Sequence, residues 1–282
     1  MKITASIYFI PFKANFTAQD FDAGLALGWL NEAEQLKVAR YSQQNAKYNA
    51  LQVRLALRAL LSTHADIAPQ EWQFEYGDKG KPQLSQALFE QSGLLFNLSH
   101  SGDWLSVAIV DTHLQNINNA NKACLGIDIE RCRRNTNIHT IMNHYFTPDE
   151  VSQLALLGEA DQRQRFFDLW ALKEAFIKAT GKGLAQSLTS FGFSFAANKV
   201  LKVADESVLA PYVACDDYVQ FHAPEALQHQ PWHFLFGRLN TEYRFSLCWG
   251  LESEDSSMHS KPKQIVPDCK VATLEQLISG VL

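Results

Sequence analysis

The residues whose types and spacing suit chemistry are two carboxylates one pleat apart and a carboxylate with an ammonium one helical turn further on. The first pair is Asp128 and Glu130, in Gly126-Ile-Asp-Ile-Glu130; the second is Glu174 and Lys178, in Trp170-Ala-Leu-Lys-Glu-Ala-Phe-Ile-Lys178. In an extended strand Ile127 and Ile129 face one way and Gly126, Asp128 and Glu130 the other, so two hard oxygen donors share a side on which glycine leaves room. That suits Mg²⁺, which takes one or two protein carboxylates and completes its shell with water and phosphate oxygens. The plainer alternative is a charged strand edge that discourages pairing. On the helix, Glu174 and Lys178 either form an ordinary i,i+4 surface pair, stabilising by roughly 0.2–0.5 kcal/mol, or stand at the wall of a cleft. The second reading rests on their continuing the arc of Phe167 and Trp170, since unpaired charge does not persist in a dry core; the helix alone does not choose between the two.

Three further groups could serve an anion. Lys37, Arg40, Lys47, Arg54 and Arg58 lie between Leu36 and Leu60 with no acidic residue among them. They form an anion site if they converge and are ordinary solvated charges if they do not. Tyr76-Gly-Asp-Lys-Gly-Lys-Pro-Gln-Leu84 reads as a loop: Gly77 and Gly80 allow left-handed backbone, Pro82 fixes the exit, and Lys79 or Lys81 can approach a ligand. The G-x-x-x-x-G-K-S/T phosphate loop is absent. His100, in the turn Ser99-His-Ser-Gly-Asp103, can donate to a phosphate or satisfy its own turn. Ser99 is no nucleophile elbow, since G-x-S-x-G is missing. His229 and His233 have metal-like spacing, but Pro231 breaks any helix that would align them.

The elements that must hold these groups follow from periodicity. Phe166 to Leu184 reads as a helix buried almost all round, with Asp161 a plausible N-cap and Gly181 and Gly183 stop signals. A second helix spans about Ala46 to Thr63. Leu94–Leu98 and Trp104–Val110 alternate as a hairpin, and Thr147-Pro-Asp-Glu150 opens a helix ending near Gly158. Phe191–Phe195 is a strand, and His233–Gly250 a hairpin turning near Asn240 and Thr241. The asparagine-rich stretch from Asp111 to Lys122 marks a boundary, giving an N-terminal α+β subdomain (1–120), a C-terminal one (121–251), and a linker with a short amphipathic tail (252–282).

A chain of 282 residues, 46% hydrophobic and 20% charged, can build one large core or two smaller ones. Its net charge of −5 argues against general nucleic-acid binding. No apolar run approaches the roughly 18 residues of a membrane span, and the N-terminus lacks a signal-peptide pattern. The five cysteines contain no C-x-x-C, which favours a reducing, cytoplasmic setting over disulfides or zinc.

The order of the motifs is more specific than any one of them. A lysine-bearing Gly-Lys-Pro loop, Asn97-Leu-Ser-His100, Gly126-Ile-Asp-Ile-Glu130 and Trp170-Ala-Leu-Lys-Glu-Ala175, leading to Lys178 and Gly181-Lys-Gly-Leu184, together resemble the Sfp-type 4′-phosphopantetheinyl transferases. The resemblance runs from about Lys37 to Phe195. It implies an α+β fold of two similar halves related by a pseudo-twofold, with coenzyme A in the cleft between them. It implies Asp128, Glu130 and Glu174 as Mg²⁺ ligands, and Lys79, Gly80, Lys81 and Pro82 as the segment holding the adenine end of coenzyme A. Ser99 and His100 would then be phosphate contacts, and Lys37 a contact to the 3′-phosphate. Some relatives carry a second base three positions before Lys37, where this chain has Glu34; Arg40, Arg54 or Arg58 would compensate.

The implied reaction moves the phosphopantetheine arm of coenzyme A to a serine of an acyl or peptidyl carrier protein. Glu174 would be the base, and Lys178 and His100 would stabilise the growing charge. Two halves in one polypeptide make a monomer sufficient. The alternatives are a non-catalytic coenzyme A or nucleotide-binding module and a Mg²⁺-dependent pyrophosphate hydrolase; the identity of the carrier is not written in the sequence.

Overall fold

The computed structural model describes residues 2–13, 28–115, 117, 120–195, 214–216, 219–227, 230–251 and 264–281. The first half begins with β1 (Lys2–Pro11), α1 (Glu32–Ala39) and α2 (Gln44–His64), followed by β2 (Phe74–Tyr76), β3 (Pro82–Leu84), α3 (Gln86–Ser92), β4 (Leu94–Ser101) and β5 (Trp104–Asp111). The second half holds β6 (Cys124–Arg131), α4 (Ile138–Tyr145), α5 (Pro148–Ala155), α6 (Glu159–Thr180) and β7 (Gly192–Phe195). It continues through β8 (Ala214–Asp216), β9 (Val219–His222), β10 (Trp232–Arg238) and β11 (Tyr243–Gly250). The chain then adds β12 (Gln264–Val271) and α7 (Leu274–Ser279).

The architecture is α+β. Two four-stranded sheets, ordered β12-β1-β5-β4 and β6-β11-β10-β8, each carry one long helix, and two small hairpins, β2-β3 and β7-β9, stand apart from both ladders. The strands explain the layering. Tyr8 and Ile10 of β1 pack with Leu55, Ala59 and Leu60 of α2, while Ile3, Ile7 and Phe9, one residue out of phase, pack with Ile127, Ile129, Phe245 and Leu247 of the second sheet. On the far side of that sheet, Phe234, Phe236 and Cys248 meet Leu172, Ala175 and Phe176 of α6. The two halves therefore share a core, and β11 is buried along its whole length.

The sequence expectations hold for most elements and shift at their ends. The Asn240 turn joins β10 to β11 in an antiparallel pair. Thr147 caps α5 in a capping box with Glu150, with Pro148 at the first helical position, as its sequence demands. Asp161 does not cap the central helix: Gly158 does, Asp161 lies in the first turn, and Gly181 closes the other end in the left-handed region at φ 69°. The stretch from Tyr76 to Leu84 is the tip and second strand of a hairpin rather than loop throughout.

The expected linker from Glu252 to Lys263 lies outside the described residues. The tail is no loose appendage: β12 pairs in parallel with β1 from Lys2–Gln264 to Phe9–Val271, and α7 seats Leu274, Leu277 and Ile278 in the core of the first half. Pro267 hid that strand in the sequence; it is tolerated because β12 is an edge strand. Among the described residues no helix is long and apolar enough to cross a membrane, and Cys124, Cys132 and Cys248 form no disulfide.

Candidate active site

β4 and β6 are edge strands of different sheets, and side chains do between them what a backbone ladder would do. Asn97, Ser99 and Ser101 recur at the strand period and share one side of β4. Asn97 Oδ1 accepts from the Ile127 N–H at 2.8 Å. Ser99 Oγ donates to Asp128 Oδ1 at 2.8 Å. Ser101 Oγ donates to Glu130 Oε2 at 3.1 Å and accepts from the Arg131 N–H at 3.2 Å. This seam aligns both strand carboxylates along the junction of the halves.

α6 reaches the same place because Gly126 lets it lie directly on β6: a Cβ there would stand 2.1 Å from the Ala175 carbonyl oxygen and 2.4 Å from the Ala179 nitrogen. Glu174 and Lys178, one turn apart, then overhang the seam. Lys178 Nζ donates to Asp128 Oδ1 at 2.5 Å and to Ser99 Oγ at 2.6 Å. Asp128 is buried, and its second oxygen, Oδ2, has no hydrogen-bond partner, an uncompensated lone pair of the kind a buried carboxylate rarely keeps.

Burial, then the field of Asp128, raises Glu174 to about 7 against the pull of Lys178. Glu130 is likewise raised to about 7, by burial first, then by Asp128 and Glu174, with the Ser101 hydrogen bond and Lys178 opposing. Three carboxylates from β6 and α6 thus share one electrostatic environment. His100 is exposed, packs against Phe12 with centroids 5.9 Å apart, and is held below its usual range by burial of the ring against surrounding protein and by Lys178, Asp128 opposing.

Hard oxygen donors, an orphaned Asp128 Oδ2 and two carboxylates that hold protons near neutrality fit a hard divalent cation. Among the described residues no three His, Cys, Asp or Glu side chains are gathered into a ready cage. An ion here would draw part of its shell from water or a ligand.

A cavity of about 310 Å³ opens beside these groups, with Lys79, Gly80 and Pro82 on one wall and Glu174, Lys178 and Gly181 on the other. The Gly-Lys-Pro segment and the Glu174–Lys178 turn of α6 therefore face one space. Lys81 does not send its charge there: its ammonium donates to the carbonyls of Leu125 at 3.0 Å and Ala179 at 3.2 Å. Lys37 lies over the Tyr76 ring, 4.6 Å from its centroid, so it borders the same hairpin. Arg40 is exposed at the end of α1.

The basic run does not converge as one anion site. Arg54 donates to the Ala50 carbonyl in its own helix at 2.8 Å. Arg58 is buried, paired with Glu34 at 2.7 Å, and donates also to the Trp29 and Trp72 carbonyls. Arg58 therefore cannot compensate at the surface, and Glu34 stands where it does because it neutralises Arg58 and closes the capping box of α1.

Sequence reasoning missed Lys173. It is fully buried, pairs with Glu150 at 2.9 Å, and donates to the Leu188 and Phe191 carbonyls at 2.7 Å each. Glu150 in turn accepts from the Phe193 N–H at 2.9 Å. Lys173 sits on the opposite side of α6 from the seam and fixes the helix against α5 and β7. The signal was present: a lysine between Leu172 and Ala175 in a helix apolar all round requires a buried partner. The seam residues Asn97 and Ser101 could likewise have been found from polar residues recurring every second position at a strand end.

A model of the 4′-phosphopantetheinyl transferase superfamily matches residues 124–248, and one of the 4′-phosphopantetheinyl transferase N-terminal region matches residues 15–112. A putative 4′-phosphopantetheinyl transferase from Synechocystis sp. is 33% identical over 159 residues, which cover 56% of this chain and 60% of that protein. The 4′-phosphopantetheinyl transferase HetI from Nostoc sp. is 35% identical over 130 residues, 46% of this chain and 50% of that one. The 4′-phosphopantetheinyl transferase Sfp from Bacillus subtilis is 26% identical over 165 residues, 58% of this chain and 66% of that one. The matches thus span between half and two thirds of these relatives' lengths.

Proposed function

Because this chain belongs to the 4′-phosphopantetheinyl transferase superfamily, we propose that it transfers the phosphopantetheine arm of coenzyme A to a serine of an acyl or peptidyl carrier protein. A bond forms between the carrier serine oxygen and the phosphorus bearing pantetheine. The bridging P–O bond breaks, and adenosine 3′,5′-bisphosphate leaves with the electron pair. The observation that supports this best is one cavity lined by Glu174 and Lys178 together with the Lys79–Pro82 segment, with Asp128 paired to Lys178 beside it and Glu130 in the same electrostatic cluster.

Glu174 is the base, taking the serine proton directly or through a water as the nucleophile attacks. Lys178 and His100 stabilise the charge that grows on the phosphoryl oxygens, with Ser99 fixing the rotamer of Asp128 and the position of the Lys178 ammonium. Asp128, Glu130 and Glu174 would hold Mg²⁺, which when bound supplies neutralisation of the pyrophosphate. Lys79, Gly80 and Pro82 line the wall that receives the nucleotide end, and Lys37 with Arg40 meets the 3′-phosphate.

The test is mass spectrometry of an apo carrier incubated with this protein, coenzyme A and Mg²⁺. The expected gain is about 340 Da on the carrier serine, the mass of the arm. Cleaved coenzyme A with an unmodified carrier would mean a hydrolase; unchanged coenzyme A with measurable binding would mean a binding module.

A further inference from the structure

The hairpin β2-β3, whose tip carries Gly77 to Lys81, makes no backbone strand pairing with either large sheet among the described residues. Its own bonds are local: three register pairs between the strands, then the Gly77 N–H to the Lys81 carbonyl at 3.0 Å and the Gly80 N–H to the Gly77 carbonyl at 2.7 Å. A hairpin of two three-residue strands is marginal by itself. Nothing in its backbone pairing fixes its distance from α6, yet that distance is the width of the cleft.

The geometry points to Lys81 as a positioning residue, an inter-lobe clamp that holds this loop against the end of α6 and so sets the coenzyme A cleft. Its stem crosses from the first half, and its ammonium caps two carbonyls of the second: Leu125, at the start of β6, and Ala179, in the last turn of α6. A cation on a helix's last carbonyls is favourably placed. The site is built around this crossing. Gly126, beside Leu125, brings Ala179 onto β6, and Gly181 leaves contact room for the Lys81 stem, with a Cβ there meeting Lys81 Cδ at 3.9 Å.

Lys81 and Pro82 also line both the 310 Å³ cleft and a second cavity of about 210 Å³ behind the loop, walled by Leu84, Phe89, Phe96 and Leu125. Lys81 and Pro82 thus border both spaces. Burial pushes the Lys81 ammonium below the usual lysine range. The motif lysine that sequence reading offers to a phosphate therefore acts through the loop it anchors.

This role rests on the transferase reading, so the test has one arm that does not. In the full chain without ligand, Lys81→Met keeps the stem and removes the donor; hydrogen exchange of the amides of residues 77–81, 83 and 84 is expected to accelerate about 10-fold or more relative to β1 and β11 amides, which stay unchanged. In the transferase assay the same variant should raise KM for coenzyme A about 10-fold with kcat within twofold, because a misplaced wall weakens binding before it disturbs chemistry. Lys81→Arg, which keeps forked donors, should recover part of both. Unchanged exchange at 77–84 would overturn the clamp, as would a raised KM without loop loosening, which would make Lys81 a direct ligand contact. A fall in kcat at constant KM, or global unfolding of Lys81→Met not rescued by Lys81→Arg, would also overturn it. If the unaltered protein transfers nothing, the functional reading fails while the exchange arm still decides the clamp.

Discussion

Lys178 gives its charge to Asp128 and Ser99 and leaves Glu130 and Glu174 each raised to about 7. That division decides what each group can do. Glu174→Gln keeps the shape and removes the proton acceptor, so kcat should fall by about 10²-fold or more with coenzyme A affinity changed only a few-fold, checked by steady-state rates and calorimetry. Lost binding with normal turnover at saturating coenzyme A would contradict the role. The same shifts have a stability consequence. Folding raises both carboxyls from 4.5 to about 7, so between those values the native state binds more protons than the unfolded chain. Stability of the cation-free protein therefore falls as pH rises from about 4.5 to about 7 and levels off above. Urea midpoints with a chelator present should trace that decline, and Glu130→Gln with Glu174→Gln should flatten it. A cation that binds only the deprotonated, folded site should flatten it as well. Midpoints that rise with pH over this window and respond to neither change would count against the coupled carboxylates.

α6 shows how much of the molecule was legible before the structure. Its type, its near-total burial and its stop at Gly181 follow from sequence, and so does the alternation of β6 that turns Asp128 and Glu130 away from Ile127 and Ile129. The helix start was misplaced because glycine and aspartate both serve as caps and only tertiary packing chooses. Arg58 was opaque for a different reason: a charged side chain announces itself as surface unless its partner is known, and Glu34 lies 24 positions away; the burial of Lys173 could be read from its helix, but not its partner Glu150, 23 positions away. The element therefore makes two expectations of its own. Gly126→Ala must push α6 off β6 and should cost about 3 kcal/mol by overpacking, together with transfer activity, read by thermal unfolding and rate. Lys173→Met should cost about 3–5 kcal/mol by stranding Glu150, and adding Glu150→Gln should return part of that loss; a double variant no more stable than the single would mean that the pair is not the reason Lys173 is buried.

At the scale of the molecule, the halves are joined by more than the cleft. Ile3, Ile7 and Phe9 of the first sheet and Ile127, Phe245 and Leu247 of the second occupy one core, and the chain's end returns to pair β12 with β1 and dock α7 beside α2. The sequence boundary near residue 120 falls where the chain passes between sheets, and the apolar faces still meet across it, because composition reports exposure along the chain and says nothing about which apolar faces meet. If the core is shared, a lesion at the far side of the first half must be felt in the second. Leu277 of α7 is 7% exposed and packs in the first-half core, remote from the second sheet. Leu277→Ala should cost about 2–4 kcal/mol, and under native conditions it should speed hydrogen exchange of slow amides in β6 and β11 by the same factor as those in β1 and β5, because those amides exchange through unfolding of the whole. Separately stable halves would give a different result: faster exchange in β1 and β5, with β6 and β11 as protected as before.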